Sequence, residues 1–160
     1  MKIVLVGINA KYIHTNLAVR SLQANAGKYR NEVEIAEYTI NHSIQEILSD
    51  LFDREPDVVG FSCYLWNIEY VMRLAQDWKK IWPQGKIVVG GPEVSYNPEK
   101  TFEQYPFVDL LIRGEGEYTF KEVLAWLHGE KQSRAELSGV AYLEEGELQT
   151  VIDVINDVTR

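Results

Sequence analysis

Apolar residues along this chain fall into two kinds of block, and the two alternate. Ile3 to Val6, Val58 to Phe61, Ile87 to Val89 and Leu110 to Ile112 are short, nearly continuous apolar runs. Runs of that kind predict strands buried on both faces of a parallel sheet. Between them the apolar positions recur with helical spacing. A helix is predicted from Thr15 or Asn16 to Ala26, closed by Gly27. Ser43-Ile44-Gln45-Glu46 fits a capping box and opens a second helix, with Ile44, Ile47, Leu48, Leu51 and Phe52 on one face and Pro56 just past its end. A third runs from Asn67 to Trp82, with Val71, Leu74, Ala75, Trp78, Ile81 and Trp82 inward and Pro83 as its stop. A short helix over Pro98 to Gln104 and another over Glu117 to Leu127 complete the set.

One strand reads differently. Glu32 to Tyr38 interleaves acids, Glu32, Glu34 and Glu37, with apolar residues, the pattern of a half-exposed edge strand. Strand and helix in alternation predict a three-layer, doubly wound α/β fold with a flavodoxin-like (Rossmann-like) parallel sheet. With the edge strand second in sequence, the strand order is 2-1-3-4-5. After Gly129 the pattern changes: Val140 to Leu143 and Leu148 to Ile152 flank Glu145-Gly146 as a C-terminal β-hairpin. The expected organisation is an α/β domain over 1–130, with the hairpin and the start of a linker, as in the N-terminal part of something longer, over 131–160.

Composition narrows the function. The 160 residues suit one core, and a net charge of −8 disfavours binding to nucleic acid or to an anionic membrane. Cys63 is the only cysteine, so the chain forms no internal disulfide and no cysteine-rich metal site. The apolar run in MKIVLVGI is too short for a signal or a span, which points to the cytoplasm.

In an open α/β sheet, ligands bind beyond the carboxyl ends of the strands. Asn9 to His14, after the first strand, has no glycine for a dinucleotide turn, and no phosphate-cradling loop is present. A phospho-accepting receiver would need acids where Asn9 and Ser62 stand and a lysine where Arg113 stands. A flavin phosphate loop has only Thr15 in its favour. What remains is small residues at three successive strand ends: Gly60 and Ser62, Gly90 and Gly91, Gly114 and Gly116. Their lack of bulk suits a broad slot for a large ligand. Each also has a structural reading. Gly90-Gly91-Pro92 fits a plain turn, and Glu115 and Glu117 complement a helix dipole. Cys63 reads as a small buried hydrophobe. Trp78, Trp82 and Trp126 read as core, with Trp66 the exception; His42 and His128 read as surface or helix-terminal residues, and Lys11 and Arg113 as surface charges.

The phrases VVGFSCYLWN, IVVGGPEVSYNPE and DLLIRGEGEYTF, in this order over residues 1 to 130, resemble the N-terminal cobalamin (vitamin B12)-binding domain of cobalamin-dependent radical S-adenosylmethionine enzymes. The resemblance implies cobalamin as cofactor, its nucleotide tail beside the sheet and its corrin ring on the strand ends. Implied contacts are Asn9, Ala10, His14, Ser62, Tyr64, Gly90, Gly91, Pro92, Glu93, Gly114, Glu115 and Gly116. Tyr64 departs from the family's Ser-x-Leu element. The Asp-x-His-x-x-Gly motif of a histidine lower ligand is absent, since Tyr12 and Leu17 take the Asp and Gly positions. His14 is therefore not expected to ligate cobalt. For the parent enzyme the resemblance implies a C-terminal radical domain of the same polypeptide with a [4Fe–4S] cluster and S-adenosylmethionine, acting as a methyltransferase or cyclase; this domain alone carries no catalysis. Substitution of Gly91 by Trp is expected to abolish corrinoid retention and spare the fold. The residues alone also accommodate a flavodoxin-like module for another ligand or a protein partner, without corrinoid.

Overall fold

The computed structural model describes residues 1–10, 16–114 and 116–151. Five parallel strands, β1 (Ile3–Asn9), β2 (Val33–Thr39), β3 (Val58–Ser62), β4 (Lys86–Gly90) and β5 (Leu110–Ile112), stand in the order 2-1-3-4-5. The hairpin strands β6 (Val140–Glu144) and β7 (Glu147–Val151) extend the same sheet, antiparallel beyond β5. Its turn uses Glu145 and Gly146, both at positive φ (52° and 82°), the conformation a tight two-residue hairpin demands. The hairpin is thus continuous with the sheet. Leu137 is fully buried beneath it, and Arg113 N–H donates to the Gly139 carbonyl at 2.7 Å.

Helices α1 (Leu17–Ala24) and α6 (Gly116–Leu127) cover one face of the sheet. Helices α2 (Ile44–Arg54), α3 (Ile68–Ile81), the single turn α4 (Pro92–Ser95) and α5 (Pro98–Gln104) cover the other. Strand parity divides the core accordingly. Val4, Val6 and Ile8 of β1 join the α2–α3 side, while Ile3 and Leu5 join the α1–α6 side.

Several expectations shift by a turn or a face. The first helix ends at Ala24, and Gly27–Glu32 forms a separate 3-10 turn. Only half of the Ser43 box forms, Ser43 Oγ accepting from Glu46 N–H at 3.1 Å; a complete capping box stands instead at Ser133 and Glu136. Phe52 and Ile81 lie at the margins of their apolar stripes and are exposed, and Phe52 meets Trp82 edge-on at 5.6 Å. Pro92, read with Gly90 and Gly91 as a plain turn, instead opens the single helical turn α4. Trp78 is fully buried and Trp66 about half exposed, as their positions predict.

At the opposite end of the sheet from the strand termini, His128 stacks on Tyr29 with ring centroids 4.1 Å apart. Its Nδ1 lies 2.7 Å from the Leu124 carbonyl, and its Nε2 lies 2.8 Å from Glu32, which also accepts from the N-terminal ammonium. The Glu32 contact is off the ring's N–H axis, so it acts as an ion pair and not as a hydrogen bond that satisfies Nε2. Burial opposes charge on the ring, but the Leu124 carbonyl and Glu32 outweigh it and raise the His128 pKa. The N-terminal ammonium and His128 hold the Glu32 carboxyl below its ordinary range.

Where a histidine pKa is raised by folding, the folded chain holds more protons than the unfolded one between the two values. The stability from charged His128 is full below the ordinary histidine value, about 6.5, and is lost as pH rises through the raised one. Thermal melts across that window should show a fall in Tm that His128→Gln flattens.

Gly91 governs the β3–β4 strand ends. Cys63 N–H donates to the Gly90 carbonyl at 2.8 Å, and the backbone then turns at Gly91 with φ +111°. A Cβ there would stand 2.3 Å from the Cys63 carbonyl oxygen. Bulk at Gly91 therefore strikes backbone, and the expectation that Gly91→Trp spares the fold does not survive this contact. Gly91→Ala should destabilise the chain by about 3 kcal/mol in denaturant melts.

Candidate functional site

On the α1–α6 side, Leu5 of β1, Gly60 and Ser62 of β3, and Val88 and Gly90 of β4 share one face. Opposite them stand Ala18, Val19 and Leu22 of α1 and Phe120 of α6. Between sheet and helices runs a cavity of about 440 Å³, within the range of small-ligand sites. Its wall follows β3 from Val58 to Ser62, a depth of about 13 Å at the usual rise per residue.

Small residues make this space in distinct ways. A Cβ on Gly60 would stand 2.8 Å from the Leu5 side chain, so Leu5 occupies the room that Gly60 leaves. A Cβ on Gly90 would meet only ordinary contacts, 3.7 Å from Ile112. Gly114, at φ +69°, turns the chain from β5 toward α6, and Gly116 packs near Leu22. Gly91 is a glycine for the backbone reason given above.

The polar side chains on the wall, among the described residues, are Ser62, Tyr64 and Glu117, all toward the carboxyl end of the sheet. Glu117 accepts from Ser21 Oγ at 2.8 Å and so ties α6 to α1 across the mouth. Asn67 sets the loop after β3: its Oδ1 accepts from Tyr64 N–H at 2.7 Å, and its Nδ2 donates to the Ile8 carbonyl at 3.1 Å. Tyr64 and Trp66 stack nearly parallel, 6.0 Å apart. Exposed large apolar side chains gather at this same end: Leu17, Leu65, Trp66, Tyr96 and Tyr118.

Of the residues picked from the sequence, Ser62, Tyr64, Gly90, Gly91, Pro92, Gly114 and Gly116 stand on the cavity wall. Asn9 is buried at the end of β1, where its carbonyl accepts from Ile40 N–H, and Ala10 follows it; neither lines the cavity. Glu93 is exposed on the first turn of α4, off the wall but close enough to Cys63 to affect its thiol. His14 and Glu115 lie outside the described residues. Sequence reading missed Leu5, Val88 and the helical wall, although strand parity from Ser62 leads to the first two.

Cys63 faces the opposite core, and burial, reinforced by Glu93, pushes its thiol up to about 12. It packs as a small protonated thiol in that core. Among the described residues no group of three His, Cys, Asp or Glu side chains is placed to hold a metal. No described helix is long and apolar enough to cross a membrane.

The cavity has an apolar interior and opens toward exposed apolar side chains at the strand ends. The family model for the B12 binding domain matches residues 3–124. The cobalamin-dependent radical SAM methyltransferase TokK of Streptomyces tokunonensis is 46% identical over 71 residues, covering 44% of this chain and 10% of that protein. The 2-(S-pantetheinyl)-carbapenam-3-carboxylate methyltransferase of Streptantibioticus cattleyicolor is 41% identical over 81 residues, 51% of this chain and 12% of that protein. The matched part of this chain therefore spans about a tenth of the length of these relatives. The structure of the cobalamin-dependent S-adenosylmethionine radical enzyme OxsB, with aqua-cobalamin and S-adenosylmethionine bound, superposes with a TM-score of 0.74 at 22% identity, over 94% of this chain and 22% of that one. By family match and by fold, this chain belongs to the B12-binding domain family.

Proposed function

We propose that this chain is the cobalamin-holding module of a radical S-adenosylmethionine methyltransferase and works in the cytoplasm. The observation that carries this is the 440 Å³ slot opening at the strand ends, coincident with the family match. In this reading the nucleotide tail enters between the sheet and α1–α6, passing Ser62, Gly90 and Gly114. The corrin ring would be held at the strand ends by the exposed apolar side chains there. Bound cobalamin would supply a cobalt centre able to carry and release a methyl group.

The chain's own residues bind and orient. Asn67 and Glu117 hold the loops that frame the mouth, and Gly91 keeps the β3 and β4 ends together. Of the described histidines, His42 accepts from Thr39 N–H and His128 sits at the far end, so neither lines the slot. A [4Fe–4S] cluster needs cysteines this chain does not have, since Cys63 is its only one and is buried. Cluster and S-adenosylmethionine belong to a radical domain on the relatives' pattern.

Hydroxocobalamin should remain with the protein through desalting, with its visible absorbance, whereas cobinamide, which lacks the nucleotide tail, should be lost. Equal retention of both would defeat the tail-in-slot reading. Gly90→Leu, whose Cβ would make only ordinary van der Waals contact with Ile112, should weaken cobalamin binding by at least about tenfold with Tm little changed.

A further inference from the structure

The slot is polar at one end only. Ser62, Tyr64 and Glu117 stand toward the mouth. Below them the wall is made by Ile3, Leu5, Val58, Val88, Val123 and Leu127. On β1, β3 and β4 the backbone amides and carbonyls are engaged in the parallel ladders. A group that reaches the lower slot meets hydrocarbon.

We propose that this lower slot selects among corrinoids by the polarity of their terminal base, favouring an apolar benzimidazole over a purine. The inference rests on the tail-in-slot reading above and adds a preference to it. Both bases are flat and bicyclic, so shape discriminates weakly between them. Adenine, however, carries an exocyclic amine and additional ring nitrogens, which would leave water without finding a partner there. Unpaired burial of such groups costs enough to weaken binding by about tenfold to hundredfold. The methyl groups of dimethylbenzimidazole instead gain from contact with the aliphatic wall.

The test titrates the 160-residue chain with cobalamin, with the adenine-containing cobamide and with cobinamide, reading tryptophan quenching and absorbance retained after desalting. The expected order is cobalamin tighter than the adenine cobamide by about tenfold or more, with cobinamide weakest. Equal affinity for the two complete cobamides, with cobinamide still excluded, would overturn the preference and leave the cobalamin reading intact. Failure to bind any of them would overturn both. Val88→Thr, which swaps a methyl for a hydroxyl at nearly constant volume, should narrow the gap several-fold by offering the purine a partner. Val58→Thr repeats the test deeper in the slot. A gap unchanged in both variants, each melting as a folded protein, would overturn the inference.

Discussion

Everything distinctive in this molecule follows from the parity of parallel strands buried on both sides. Along β3, Val59, Phe61 and Cys63 go to the α2–α3 core, and Val58, Gly60 and Ser62 go to the other. The first set is filled to the level of a fully buried tryptophan, Trp78. The second is thinned by glycine where it matters, so the helices α1 and α6 rest on β1 and β5 and bridge a hollow over β3 and β4. One sheet thus has a solid face that supplies stability and a hollow face that supplies a site.

The sequence made the framework legible because each layer has its own period. Continuous apolar runs predict β1, β3, β4 and β5, and the acids of Glu32, Glu34 and Glu37 mark β2 as an edge. The tilt of a helix margin is harder to read, and Phe52 and Ile81 show why. Each belongs to an apolar stripe by spacing, yet exposure depends on whether a neighbouring element reaches that far, which spacing does not encode. The reach of the sheet was likewise hidden, since a hairpin pattern looks the same free or docked.

The site was legible in outline and misread in one mechanism. Six small residues at three strand ends look alike as letters, but Gly60 makes room for Leu5, Gly90 faces the hollow, and Gly91 presses on the backbone of Cys63. Only coordinates separate leaving room from turning the chain. Asn67 was visible as a helix start; its bonds to Tyr64 and Ile8 make it the link between two loops of the mouth. The helical wall escaped notice because α1 and α6, far apart in sequence, meet only once the strand order is known.

The hairpin has a consequence for how copies of this molecule meet. Doubly wound sheets leave two outer strands whose free backbone can recruit a second chain. Here β2 carries Glu34 and Glu37, held by Lys2, Arg54 and Arg20, and β7 opens on exposed Glu147 next to Glu144 and Glu145. Both borders carry carboxylates, those of β2 already paired with cations, on a chain of net charge −8. Lateral approach of a second copy along the exposed carboxylates of β7 would bring like charges together, which disfavours ribbon-like growth from that edge.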